Sequence, residues 1–357
     1  MTNYSLSHLT VIEFASVLAG PLTGSFLAEL GATVIKIENK KVGGDVTRSW
    51  RSSGESPDGI SAYYASANTN KQVVYLDLSI KSDREEALNL VKTADIVLSN
   101  FKPESGKKLG LTFEDFKEVN PTIIHGQITG FANESTRAAY DVVLQAETGF
   151  MSMNGQPNSL PTKMPVALID VLAAHQLKEG ILLALLQQQK INKAQFITVN
   201  LEQAAISALA NQASNWLMNK QVARQMGSLH PNIAPYGETF LCADNKYIVL
   251  AIGSNKQFKA LCDIIDLPTI PSDERFIDNQ QRVNNRNQLQ ELLEKAFICK
   301  NSSALMPLFN QQVVPAGLIK NIDEVLASPA GKAMVIAEKT PNQTLLKVKN
   351  IAFNISN

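Results

Sequence analysis

Asp170 holds a chemically useful place in the sequence. It closes the apolar run Val166–Ile169 and precedes Val171, Ala174, Leu177 and Ile181, which recur at helical spacing. An Asp there reads as a helix N-cap. The same position suits a nucleophile, because the dipole and amide donors of a helix N-terminus keep a carboxylate ionised at neutral pH.

A second grouping is basic: Lys36, Lys40, Lys41, Arg48, Arg51 and Lys71. Such cations can hold phosphates by charge-assisted hydrogen bonds, and equally can be solvated surface groups. Of the four histidines, His125 lies in an apolar strand pattern and reads as a hydrogen-bonded core residue. His175, one turn beyond Asp170, reads as helix surface or interface. His230-Pro231-Asn232 sits on a Gly- and Pro-rich connector, where a binding loop or a plain interdomain turn both fit. Gly20-Pro21-Leu22-Thr23-Gly24, with Glu38 after the next strand pattern, lacks the G-x-G-x-x-G spacing of a dinucleotide fingerprint. Pro21 also removes an N–H that a pyrophosphate would use, so tight strand-to-helix packing is the simpler reading. No G-x-S-x-G or Ser-His-Asp grouping is visible, which argues against a serine hydrolase.

Short apolar runs alternating with helical patterns must position these groups. Thr10–Phe14, Thr33–Ile37, Val73–Leu78, Ile96–Leu98, Thr122–Ile128 and Phe196–Leu201 read as strands. Pro21 suits a helix's first position, and Leu22, Phe26 and Leu30 follow at helical spacing. Ser82-x-x-Glu85 looks like a capping box for the next helix. Asp141–Phe150, Val171–Gln189 and a single long helix over Leu201–Asn219 complete the first region. Strand–helix–strand repetition with apolar strands implies a parallel sheet covered on both faces. The periodicity breaks around Gln221–Pro235, a domain boundary. Beyond it come a hairpin signal around Asp244-Asn245-Lys246, then helical patterns at Asn255–Ile265, Asn287–Phe297, Ser302–Asn310 and from Asp323, and a strand pattern at Leu345–Phe353.

Composition sets the frame. A chain of 357 residues suggests about two domains. Lys plus Arg and Asp plus Glu both number 33, so no global field draws in nucleic acid or an anionic membrane. Three widely spaced cysteines, Cys242, Cys262 and Cys299, form neither a CxxC pair nor a disulfide framework, which fits a reduced, cytoplasmic setting. Neither a signal-peptide pattern nor a membrane-length apolar run is read.

Several ordered segments carry a resemblance. They include Val17-Leu18-Ala19-Gly20-Pro21, Gly44-Asp45-Val46-Thr47-Arg48, Asn68-Thr69-Asn70-Lys71, Asn100-Phe101-Lys102-Pro103 and Lys108-Leu109-Gly110-Leu111. Tyr140-Asp141-Val142-Val143-Leu144-Gln145-Ala146 and His230-Pro231-Asn232-Ile233-Ala234-Pro235-Tyr236 continue the series. Together they resemble the class III CoA-transferases, the group of formyl-CoA and carnitine CoA-transferases and their racemase relatives. The resemblance implies an α/β fold: a Rossmann-like large domain with a parallel sheet, a smaller α+β domain, and an interlocked homodimer. The large domain would span residues 1–220, with 325–357 returning to it, and the small one 221–324. Coenzyme A would enter as an acyl-CoA substrate, with no metal and no NAD. Its site would be lined by Val17, Leu18, Ala19, Lys36, Asn39, Asn70, Lys71, Asn100, Phe101 and Lys108. Asp170 matches the family's nucleophile, Tyr140 and Asp141 match a pair beside the reacting acyl group, and His230 falls among the substrate-binding residues. Leu18 departs from the formyl-CoA transferases, which carry glutamine there, and Ala132-Asn133-Glu134-Ser135 lacks the Gly-Pro of many members.

The expected chemistry is ping-pong exchange of CoA between acids through an aspartyl anhydride and an aspartyl-CoA thioester. Backbone N–H groups opening the helix after Asp170 would stabilise the oxyanion. A racemase needs a base on each face of the α-carbon, and Tyr140 is a poor base where racemases place histidine. An NAD-dependent dehydrogenase is the alternative from another class.

Overall fold

The structure, a computed structural model, describes residues 6–133 and 137–356. Met1–Ser5, Glu134–Thr136 and Asn357 lie outside the described residues, and with them part of the opening stretch and of the 132–135 loop. The chain divides into two compact units. The first comprises residues 1–150, 163–222 and 329–357, and the second 151–162 and 223–328. Residues 151–162, placed by sequence in the large domain, therefore group with the smaller unit.

Six strands form the first unit's sheet: β1 (Thr10–Glu13), β2 (Thr33–Asn39), β3 (Gln72–Leu76), β4 (Ile96–Ser99), β5 (Ile124–Thr129) and β6 (Gln195–Asn200). All pairings are parallel, in the order β3-β2-β1-β4-β5-β6. The central strand β4 is buried at every position because both faces of the sheet are covered. Val11, Val34, Ile96, Leu98 and Ile124 face one core, while Ile12, Ile37 and Val97 face the other.

The helices of this unit begin with α1 (Ala19–Glu29), α2 (Ala62–Asn68), α3 (Lys81–Val91), α4 (Pro103–Leu109) and α5 (Phe113–Val119). They continue with α6 (Asp141–Glu147), the short α7 (Phe150–Met153) that ends in the second unit, α8 (Leu168–Ile191), α9 (Leu201–Ser207) and α10 (Ala210–Asn219). Three expectations need correction. Pro21 stands third in α1, tolerated because no first-turn N–H has an intrahelical acceptor. The Ser82 capping box does not form: α3 starts at Lys81, its cap position is Ile80, and Asp83 instead accepts the Asp77 N–H at 2.8 Å. The single helix expected over 201–219 is two, broken where Ala210 takes a φ of +44°.

The second unit pairs β7 (Tyr236–Leu241) with β8 (Tyr247–Ala251), and β8 with β9 (Ala316–Leu318), all antiparallel. Around them lie α11 (Asn255–Ile264), α12 (Asn279–Asn284), α13 (Arg286–Phe297), α14 (Ser302–Gln311) and α15 (Ile322–Ala327). Phe240, Phe297 and Phe309 stack at the centre of an apolar core. The chain then returns to the first unit through α16 (Pro329–Met334) and a hairpin of β10 (Val335–Lys339) and β11 (Thr344–Val348).

Candidate active site

The strand order reverses direction between β1 and β4, and open parallel sheets take ligands in the crevice beyond that point. Two loops meet there. Asn100, just past β4, accepts the Ser16 N–H at 3.1 Å and donates from Nδ2 to the Ser16 carbonyl at 2.9 Å. Val17 then turns with a φ of +71°, its N–H directed at the Asp45 carboxylate at 3.2 Å, and Leu18 caps α1 without a side-chain hydrogen bond. Val17, Leu18 and Asn100 are half-buried, and Ala19 is buried.

Asp170 sits at the start of α8, third in the helix rather than at its cap. The cap position is Ala167, which makes no side-chain cap bond. Asp141, the first residue of α6, does that work from another helix: its Oδ1 accepts the Ile169 N–H at 2.7 Å. Its Oδ2 accepts Gln145 Nε2 at 2.6 Å, and Gln145 Oε1 accepts the Met164 N–H at 2.8 Å, tying down the segment that leads to Asp170. Two expectations fall with this geometry. The Leu168, Ile169 and Val171 amides already serve Val166, Asp141 and Ala167, so they are not free oxyanion donors. Nor is Asp170 held strongly acidic. Burial, and then the neighbouring Asp141 charge, push its carboxyl up to about 7.

Tyr63 of α2 belongs to the same neighbourhood: burial and then the carboxylates of Asp170, Asp141 and Asp45 push its hydroxyl pKa up. Its ring meets Trp50 edge-on at 5.1 Å. Sequence reading missed both aromatics, which stand in bland surroundings, and only their placement beside the carboxylates distinguishes them. Tyr140 precedes Asp141 and is 55% exposed.

Half of the basic grouping, Lys36, Arg48 and Lys71, is spent on internal ion pairs. Lys36 and Lys71 are sealed beneath the sheet's edge, their side chains 1% and 0% exposed. Lys36 Nζ reaches Glu13 at 3.0 Å, Asp45 at 3.1 Å and the Ala15 carbonyl at 2.7 Å. Burial opposes that ammonium, but Glu13 and Asp45 outweigh it and hold its pKa above the ordinary value. Lys71 reaches Glu13 at 2.8 Å and the Pro21 carbonyl at 2.8 Å, yet burial dominates and lowers it to about 7. Arg48 grips Glu38 at 2.6 and 2.9 Å, and Tyr64 donates to the same carboxylate at 2.6 Å. Gly24 makes room for this cluster, since a Cβ there would lie 1.8 Å from Glu13 Oε2. Lys36 and Lys71 therefore offer no cation to a ligand in this structure. Exposed are Asn39, Lys40, Lys41, Asn70 and Lys108.

A cavity of about 670 Å³ opens beside the β4–β6 strand ends, lined among others by Asn100, Phe101, Lys107, Phe113, Arg137 and Phe196. His125 lies at its back, 1% exposed, its Nε2 2.8 Å from Ser99 Oγ, and burial lowers its pKa to about 3. His175 is exposed on α8. In the second unit, His230 Nδ1 accepts the Asn232 N–H at 3.1 Å and its ring meets Tyr236 at 5.1 Å. Among the described residues no helix is long and apolar enough to cross a membrane, and no group of three His, Cys, Asp or Glu side chains could hold a metal.

Fold and site together define an α/β protein in which a buried carboxyl, Asp170, opens one helix beside the half-buried Asp141 that opens another. The chain belongs to CoA-transferase family III, whose model matches residues 6–357. It is 36% identical over 335 residues to a succinate–glutarate CoA-transferase of Agrobacterium fabrum, covering 92% of this chain and 83% of that one. It is 33% identical to the succinyl-CoA:glutarate CoA-transferase of Homo sapiens, covering 91% and 74%. Among solved structures, a CAIB/BAIF family protein from Brucella suis superposes with a TM-score of 0.84 at 35% identity, covering 99% and 93%. The chain is thus an enzyme of the CoA-transferase type.

Proposed function

We propose that the enzyme moves CoA from a dicarboxylic acyl-CoA to a second dicarboxylic acid by covalent catalysis at Asp170. The observation that carries this reading is the Asp170 carboxyl itself: nearly buried, beside Asp141, and pushed up to about 7 by burial and then by that neighbouring charge. A carboxylate so placed is half ionised near neutrality, and its anion is poorly solvated and therefore a better nucleophile than a surface Asp.

The Asp170 carboxylate attacks the donor thioester carbonyl, the C–S bond breaks, and CoA thiolate departs from a mixed anhydride. The thiolate then attacks the aspartyl carbonyl of that anhydride, which releases the donor acid and leaves an aspartyl-CoA thioester. The acceptor carboxylate displaces the thiolate in turn to form a second anhydride. Attack of the thiolate on the acceptor's acyl carbonyl then yields the new acyl-CoA and restores Asp170. With the Leu168, Ile169 and Val171 amides engaged, oxyanion stabilisation is assigned to the Leu18–Ala19 turn, where α1 opens without a side-chain cap. The cavity beside Asn100, Phe101 and Lys107 offers aromatic and cationic groups to the nucleotide end of CoA. Tyr140 and Asp141 are assigned to the acid.

Dicarboxylates are favoured because both relatives named above carry succinate or succinyl-CoA and glutarate in their names. Assembly as an interlocked homodimer is part of the reading. Apolar side chains such as Leu183, Leu186, Leu217 and Met218 lie exposed on α8 and α10, as expected of surfaces that a second copy covers. A reducing, cytoplasmic location fits three cysteines that are all free. Intact-mass measurement with succinyl-CoA and glutaryl-CoA, followed by hydroxylamine trapping, tests the covalent step. A hydroxamate on Asp170 is expected, and turnover without any adduct on that residue overturns it.

A further inference from the structure

The hairpin β10–β11 holds helix α2 by both ends, although nearly the whole chain separates them. Ahead of α2, the Gln343 amide brackets Ile60: its Oε1 accepts the Ile60 N–H at 3.0 Å and its Nε2 donates to the Ile60 carbonyl at 3.1 Å. Behind α2, Glu338 Oε2 accepts the Asn70 N–H at 2.8 Å, where the backbone is left-handed with a φ of +59°. The hairpin is in turn fixed to α1. Lys347, its side chain 1% exposed, pairs with Glu29 at 2.6 Å and bonds Ser25 Oγ, and Asn350 gives Glu29 two further bonds at 2.8 Å. Between the two bracketed residues stands Tyr63, whose hydroxyl lies within electrostatic reach of Asp170 and Asp141.

We infer that the returning hairpin is a positioning element for the acyl site: Gln343 and Glu338 set α2, and thereby the place of Tyr63 in the neighbourhood of the carboxylate pair. The geometry favours this over general stabilisation. Both side chains spend their hydrogen bonds on backbone just outside a seven-residue helix, where they fix its axial position and rotation. A helix this short makes few bonds of its own, so its placement depends on what grips its ends. A misplacement of about 1 Å near reacting groups can cost about a hundredfold in rate.

This inference rests on acyl chemistry at Asp170, and the test separates the two. The full-length enzyme is assayed by steady-state kinetics with succinyl-CoA and glutarate, in wild type and in Gln343→Ala, Glu338→Ala, Glu338→Gln, Tyr63→Phe and Gln343→Ala/Tyr63→Phe. Gln343→Ala and Glu338→Ala are expected to lower kcat about tenfold, with KM for acyl-CoA changed less than threefold and melting temperature nearly constant. Glu338→Gln, which keeps the acceptor for the Asn70 N–H, is expected to restore kcat to within twofold. Once Tyr63 is phenylalanine, Gln343→Ala should cost less than twofold more. Equal losses in both backgrounds, or a Tyr63→Phe enzyme with wild-type kinetics, overturn the inference. A drop in melting temperature that tracks the rate loss overturns it too, since the hairpin would then be merely structural. If Asp170→Ala keeps its turnover, the mechanism above has failed; if that variant is dead and the cycle is additive, only the role of the hairpin has failed.

Discussion

Glu13 and Asp170 are both withdrawn from water in the same unit, and they fare differently. Glu13 touches two ammonium groups, and its wider cluster matches three carboxylates, Glu13, Glu38 and Asp45, with three cations, Lys36, Arg48 and Lys71. Asp170 has a second carboxylate for a neighbour and no ion pair among the described residues. Burial penalises charge in both places. Where cations answer it, the charges are locked into structure. Where none does, the carboxyl is left near the midpoint of its titration, the condition a reversible nucleophile needs. The same fold thus holds a charge-balanced set of ions and a buried acid beside a like charge, and the difference lies in the partners.

The largest test of this contrast is Asp170→Ala. Transfer should fall by at least about a thousandfold while circular dichroism and CoA binding are kept, since the side chain supports no cap. Removing a cation from the other cluster should do the opposite. Lys36→Met leaves Asp45 without its cation and Glu13 with Lys71 alone, and denaturant unfolding should show a loss of about 3–5 kcal/mol.

The pH dependence sharpens the contrast next. The folded Asp170 carboxyl lies above its unfolded value, so wild type gains from it at low pH and loses that gain as pH rises through about 7. Asp170→Asn escapes the loss, and its stability advantage should widen from pH 5 to pH 8 by on the order of 3 kcal/mol in urea titrations. For the same reason kcat/KM should rise with pH to a plateau beyond about 7. Asp141→Asn keeps an acceptor for the Ile169 N–H but removes the like charge. It should move that acidic limb to lower pH by roughly one unit in the same assay. An unmoved limb would mean burial alone sets the nucleophile. The smallest effect is Ser99→Ala, which deprives His125 of its bonded neighbour and should cost about 1 kcal/mol in thermal unfolding, with kinetics unchanged.

Much of this frame could be read from the residues. The six parallel strands appear as apolar runs because a sheet covered on both faces demands them, and the hairpin at Asp244-Asn245-Lys246 follows from its turn chemistry. Asp170 stands out by its place between a run and a helix. What could not be read is partnership. Lys36 and Lys71 look like surface lysines because a one-dimensional pattern does not show Glu13 beneath them or the gap that Gly24 leaves. The capping of α8 by Asp141 spans two helices, so a local cap rule assigned the role to Asp170 instead. Tyr63 and Trp50 gave no spacing signal at all.

The reciprocal amide bond between Asn100 and Ser16 has a dynamic consequence. It fastens the rim of one half of the sheet to the rim of the other, so the two edges of the crevice share one set of motions. A ligand that quiets the segment after β4 also steadies the turn that opens α1.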